Sequence, residues 1–146
     1  MTVKRLDHVT IVVEDMDTAV AFFEELGLEL EGTMTVEGDW VDRVNGIEGV
    51  KADIAMLRTP DGQGKLELTV YRNPPLIHRE PRIEPQHSLG IRQVMFAVED
   101  IDGTVRRLQG RGATLMGEIT QYEDVYRLCY LRGPAGIIVA LAEELG

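Results

Sequence analysis

Few residues in this chain are equipped for chemistry: three histidines (His8, His78 and His87), one cysteine (Cys129), and carboxylates among which Glu67 stands out by sitting in the alternating stretch Leu66–Val70. That inventory excludes a Cys-rich zinc cage, which needs more thiolates and imidazoles than are present. Cys129 has no sequence neighbour that would stabilise a thiolate, so it reads as a buried inert thiol rather than a nucleophile. The acidic clusters Glu14-Asp15-Met16-Asp17 and Glu99-Asp100-Ile101-Asp102 fall where a strand passes into a helix. There, capping and a favourable interaction with the helix dipole explain them better than a metal does. A lone strand histidine is more often satisfied by a neighbour than used as a ligand. The elements that position His8 and Glu67 therefore decide what those two residues can do.

Those elements occur twice. A shift of 85 positions carries Leu6–Gly32 onto Ile91–Gly117 and superposes Val9, Val13, Glu14, Asp15, Asp17, Val20, Gly27, Leu30 and Gly32 on Val94, Val98, Glu99, Asp100, Asp102, Val105, Gly112, Leu115 and Gly117. Two copies at so long a period do not make a solenoid; they make paired modules. The predicted organisation is one domain over 1–146: module one at 1–72, a linker at 73–88, and module two at 89–146. The linker holds four of the 6 prolines together with His78 and His87.

Each module opens with alternation. Val9, Ile11 and Val13 share one face of the first strand, opposite Leu6, His8, Thr10 and Val12; Val94, Phe96 and Val98 repeat that face, opposite Ile91, Gln93, Met95 and Ala97. A helix follows in each, with Asp15 and Asp100 as N-caps, Gly27 and Gly112 as stops, and buried stripes Met16–Val20–Phe23 and Ile101–Val105–Leu108. Three more strands are predicted in each half, at 28–37, 51–58 and 64–72, then at 113–120, 125–132 and 136–143. Both modules read βαβββ. If the helix covers the face of Val9, Ile11 and Val13, His8 looks into whatever the strands enclose, and Glu67 lies with Thr69 and Tyr71 on the face opposite Leu66, Leu68 and Val70.

The duplicated LDHVTIVVEDMDTAVAFF motif, the segment PDGQGKLEL and the second copy's ending RGPAGIIVALAEELG resemble the vicinal-oxygen-chelate superfamily: glyoxalase I, methylmalonyl-CoA epimerase, bleomycin- and fosfomycin-resistance proteins and extradiol dioxygenases. The resemblance spans nearly the whole chain. It implies an α+β fold in which two paired βαβββ modules form a cup-shaped, eight-stranded mixed sheet. It also implies a divalent metal held by first- and last-strand residues of each module. Carried over by position, the ligands of module one are His8 and Glu67. Module two departs, with Gln93 in place of His and Ala140 in place of Glu. An amide oxygen is a weak donor and a methyl group is none, so the expected metal set is His8, Glu67 and Gln93, with His78 or His87 as a replacement imidazole. Without the second carboxylate, Glu67 or one of Tyr71, Tyr122 and Tyr126 would have to act in proton transfer. One assured imidazole also falls short of the two required by an iron dioxygenase triad.

Composition narrows the partners. The 44% apolar content supplies a core for 146 residues, and a formal charge of -10 argues against nucleic acid and anionic membranes as partners. A single cysteine and an amino terminus lacking the apolar core of a signal peptide point to the cytoplasm. The expected function is glyoxalase- or dioxygenase-type binding of a small oxygenated substrate whose oxygens a divalent metal polarises, with Glu67 catalytic and Trp40, Tyr71, Met95 and Tyr126 lining the substrate space. Exposed edges or helices leave room for a homodimer. The alternative is a metal-free sequestration protein of the bleomycin-resistance type, with Met95, Ile138, Ala140 and Ala142 as an apolar wall.

Overall fold

A computed structural model describes residues 2–79 and 83–146. Residues Glu80, Pro81 and Arg82 of the expected linker lie outside the described residues. The chain divides into two compact units, Met1–Ile77 and His78–Gly146, and no helix among the described residues is long and apolar enough to cross a membrane.

The first unit runs β1 (Val9–Val12), α1 (Met16–Leu26), β2 (Glu29–Glu37), α2 (Asp39–Asn45), β3 (Lys51–Arg58) and β4 (Lys65–Asn73). Its sheet has the order β1-β4-β3-β2, with β1 parallel to β4 and the other pairs antiparallel. Asp15 caps α1 by accepting from Thr18 N at 3.1 Å, and Gly27, at a φ of 120°, ends it. The face toward α1 is the core: Ile11, Val13, Ala55, Leu57, Leu66, Leu68 and Val70 are buried with Ala19, Phe22 and Phe23. The helix stripe thus centres on Ala19, Phe22 and Phe23, whereas Met16 and Val20 of the predicted stripe are half-buried. The two consecutive rings meet edge to face at 5.1 Å, and their bulk draws the helix axis toward them.

The second unit runs β5 (Gln93–Ala97), α3 (Ile101–Gln109), β6 (Thr114–Leu115), β7 (Thr120–Tyr122), β8 (Tyr126–Arg132) and β9 (Ile138–Glu144), with a single 3-10 turn at Pro134–Gly136. The order is β5-β9-β8-β6, and β7 also pairs with β8. Strand β5 is parallel to β9, as β1 is to β4. Asp100 accepts from Gly103 N at 3.0 Å, and Ile101, Val105 and Leu108 are buried as the stripe requires.

Four expectations need correcting. The predicted strand 113–120 is two short strands broken by a bend at Met116–Gly117, so the described strands form two mixed sheets of four and five, the second holding one strand more than its module was assigned. Glycine at that bend has no side chain to pack and weakens the strand. Helix α3 stops at Gly110, not Gly112; Gly112, at a φ of 93°, turns the chain just afterwards. Helix α2 was not foreseen. The first strand is shorter than predicted, pairing only from Val9, which leaves Leu6, Asp7 and His8 ahead of the ladder.

Candidate functional site

In the first unit, Thr10, Glu67, Met56 and Gly32 stand side by side across β1, β4, β3 and β2. Residues in register share a face, and this face is the one turned away from α1. His8 enters it from just ahead of β1, with Nε2 3.3 Å from Oε2 of Glu67. The other carboxylate oxygen, Oε1, accepts from Thr69 Oγ1 at 3.0 Å and Thr10 Oγ1 at 3.4 Å. Glu67 is 19% exposed and His8 31%, so both are partly withdrawn from water yet open to a small molecule. Nδ1 of His8 lies 2.8 Å from Oδ2 of Asp7, whose Oδ1 accepts from Arg5 at 2.9 Å. These bonds, His8's foremost, hold the Asp7 carboxyl below the usual carboxylate range.

The other end of the same face is closed. Helix α2 lies between Gly38 and Gly46, both at positive φ, and inserts Val41 into a small cluster with Val36, Val50 and Ala52, against which Ile54 and Tyr71 pack. The Asp42 carboxylate fastens the loop behind it by accepting from Gly49 N at 2.9 Å and Val50 N at 2.8 Å. Tyr71 is therefore part of a secondary core at the end of this face. Trp40, on α2, is 64% exposed.

In the second unit the corresponding row is Met95, Ala140 and Tyr130. The duplication carries Thr10 onto Met95, and the parallel register then carries Glu67 onto Ala140, which is fully buried. Gln93 is exposed at the start of β5, opposite Ile138. Tyr126 shares the face of Met95 and stacks on Tyr122 with ring centroids 5.7 Å apart. His78 and His87 are both exposed residues of this unit.

The chemistry of His8 and Glu67 fits a first-row divalent ion: an imidazole nitrogen and a carboxylate oxygen are both suitable donors. Ligand atoms each ~2.1 Å from one ion, at tetrahedral to octahedral angles, stand ~3.0–3.4 Å apart, and the observed separation lies in that interval. Among the described residues, no group of three or more His, Cys, Asp or Glu side chains gathers around a common point, so these two alone would supply only part of a coordination shell. Sequence reasoning placed Thr10 and Thr69 on the right face without giving them the role of holding Oε1. It missed Asp7 because strict alternation would send Asp7 and His8 to opposite faces.

Comparisons with known proteins agree on the fold. The profile of the Glyoxalase/Bleomycin resistance protein/Dioxygenase superfamily matches residues 5–141. A glyoxalase family protein from Bacillus cereus superposes with a TM-score of 0.95 at 51% identity, covering 100% of this chain and 97% of that one. An antibiotic binding protein from Streptomyces sp., TnmS3, shares the fold at a TM-score of 0.61 and 18% identity, covering 99% of this chain and 98% of its own. A 2-epi-5-epi-valiolone epimerase from Actinomyces sp. is 33% identical over 116 residues, 76% of this chain; the match spans 61% of that longer protein.

Proposed function

The chain belongs to the Glyoxalase/Bleomycin resistance protein/Dioxygenase superfamily, and from that premise we propose that it holds a divalent metal ion on His8 and Glu67 and acts on a small substrate bearing two neighbouring oxygens. The meeting of Nε2 and Oε2 at 3.3 Å carries this proposal. Two lone-pair donors that close on a half-buried face call for a cation between them. Among the described residues Glu67 is met by an imidazole and two hydroxyls rather than by a lysine or arginine.

The ion would supply Lewis-acid polarisation of the substrate oxygens, which stabilises negative charge developing beside a C–H bond. The remaining work falls to this chain's own groups. The Thr10 and Thr69 hydroxyls fix Oε1 and so orient the Glu67 carboxylate. Glu67 is the nearest group able to accept a proton from the carbon next to a substrate carbonyl and return it. Trp40, exposed on α2, is the proposed substrate-facing side chain of this unit. Similarity to a protein named as an epimerase favours proton removal and return over oxidation.

Calorimetric titration of metal-stripped protein with manganese, cobalt, nickel and zinc ions tests the proposal. One site per chain is expected, abolished by His8→Ala and weakened at least about tenfold by Glu67→Gln. Loaded protein should then exchange the α-proton of a small hydroxyketone with solvent deuterium, as followed by NMR. A wild-type chain that takes up none of the four ions would remove the catalytic proposal. One observation favours the metal-free alternative: the Met95–Ala140–Tyr130 row is apolar or aromatic throughout. Under that alternative, ligand binding persists after metal stripping and in His8→Ala.

A further inference from the structure

His8 has a carboxylate at each ring nitrogen, and the two differ in distance: Asp7 is at hydrogen-bond length, Glu67 half an ångström farther. Asp7 sits at Nδ1 with Oδ2 at 2.8 Å, while Glu67 sits at Nε2. Asp7 can reach the ring because β1 begins only at Val9; ahead of the ladder, the backbone is released from the alternation that sends neighbours to opposite sides. Its second oxygen is occupied by Arg5 at 2.9 Å, which turns the carboxylate so that Oδ2 addresses the ring. An ionised carboxylate only accepts hydrogen bonds, so of the two ring nitrogens the one at hydrogen-bond length from its carboxylate, Nδ1 at 2.8 Å from Asp7, takes the single proton of the neutral ring in preference to Nε2 at 3.3 Å from Glu67. A neutral imidazole has one N–H, so donation from Nδ1 leaves the lone pair on Nε2, the nitrogen aimed at Glu67.

We infer that Asp7 is a positioning residue: it selects the Nδ1–H tautomer of His8 and fixes the ring so that Nε2 serves as the ligand atom beside Glu67. The second half of this inference rests on the metal-binding proposal above; the first does not. Carboxylates that hold the far nitrogen of a ligating histidine change metal affinity by about 10–100-fold when removed. Because Asp7 is 58% exposed, the lower end of that range applies here. Duplication offers no counterpart, since the residue matching Asp7 is Arg92, which pairs with Glu84.

The test uses the full chain, metal-free and 15N-labelled, at pH 8. Long-range 1H–15N spectra report the tautomer of each histidine, and His8 is assigned by the signal missing from His8→Ala. The wild type should show His8 as Nδ1–H, Asp7→Ala should move it toward Nε2–H, and Asp7→Asn, which keeps an acceptor oxygen, should fall between. Titration with cobalt(II) chloride should show Asp7→Ala about tenfold weaker than wild type, with Asp7→Asn intermediate. An Nε2–H ring in the wild type, or a tautomer unmoved in Asp7→Ala, overturns the inference. Equal cobalt affinity in wild type and Asp7→Ala overturns the positioning role. A wild type that binds no cobalt while its tautomer still responds to Asp7→Ala defeats the metal proposal and leaves the tautomer assignment standing.

Discussion

Glu67 and Ala140 hold the same place in the two sheets: each lies on the last strand of its unit, in parallel register with the residue that the 85-position repeat makes equivalent, Thr10 or Met95. Around Glu67 the neighbours are hydroxyls and an imidazole; around Ala140 they are Met95 and Tyr130. The two environments are not interchangeable. Ala140 is fully buried, so Ala140→Glu would place a carboxylate where nothing solvates it. We expect a loss of at least about 3 kcal/mol in urea unfolding, from overpacking together with desolvation of the charge. A variant as stable as wild type would show that the face at Ala140 is more open than its burial indicates.

Helix starts offer a second prediction with an internal control. Asp15→Ala and Asp100→Ala each remove an N-cap acceptor, for Thr18 N and Gly103 N, and each should cost about 1 kcal/mol. Gly103 lies inside α3, where Gly→Ala ordinarily gains about 0.5–1 kcal/mol. Here an added Cβ would run into Oδ2 of Asp100 and drive the capping carboxylate off its position. Gly103→Ala should therefore fail to stabilise the wild type, yet stabilise the Asp100→Ala background. Equal effects in both backgrounds, measured by thermal unfolding, would refute the clash.

These caps also show how much the sequence could reveal. Asp15, Asp100 and Gly27 were legible because capping is local chemistry. The repeat and the alternation of Val9–Val13 and Leu66–Val70 were legible because a half-covered sheet imposes a period of two. Helix α2 was not, because only Val41 of its seven residues is buried while Trp40 and Val44 are exposed, so no helical stripe marks it. Alternation gave the faces of His8 and of Glu67, and the resemblance to the vicinal-oxygen-chelate superfamily is what set the two opposite each other. The contact of Asp7 with His8 was hidden because it depends on where β1 begins, and strand ends are set by tertiary pairing.

Acid should expose a third property. Asp102 accepts from both terminal nitrogens of Arg127, at 2.7 and 3.1 Å, and this bidentate bond, followed by the charges of Arg127 and Arg106, holds its carboxyl below the ordinary value. Asp7, Asp15, Asp53 and Asp61 are likewise depressed. On acidification the unfolded chain takes up these protons first, near pH ~3.9, whereas the folded chain resists. The stability they contribute is thus present above that pH and is lost as pH falls through the lower folded values. Between pH 5 and 3, urea midpoints of the wild type should drop more steeply than those of Arg127→Ala. Parallel curves would mean that the pair does not bias Asp102.

Cys129 supplies the last test, one of inertness. It lies on β8 between the buried pairs of β9, at 3% exposure, and burial pushes its thiol up to about 11. At pH 8 only about one thiol in a thousand would be ionised, and that fraction is shielded by Leu141 opposite and Leu131 beside it on the same face. Labelling by a disulfide reagent should therefore track unfolding: negligible in native buffer, complete in denaturant, and in between at a rate proportional to the population of open molecules. Stoichiometric labelling of native protein within seconds at pH 8 would place the thiol in contact with solvent and make it a candidate nucleophile after all.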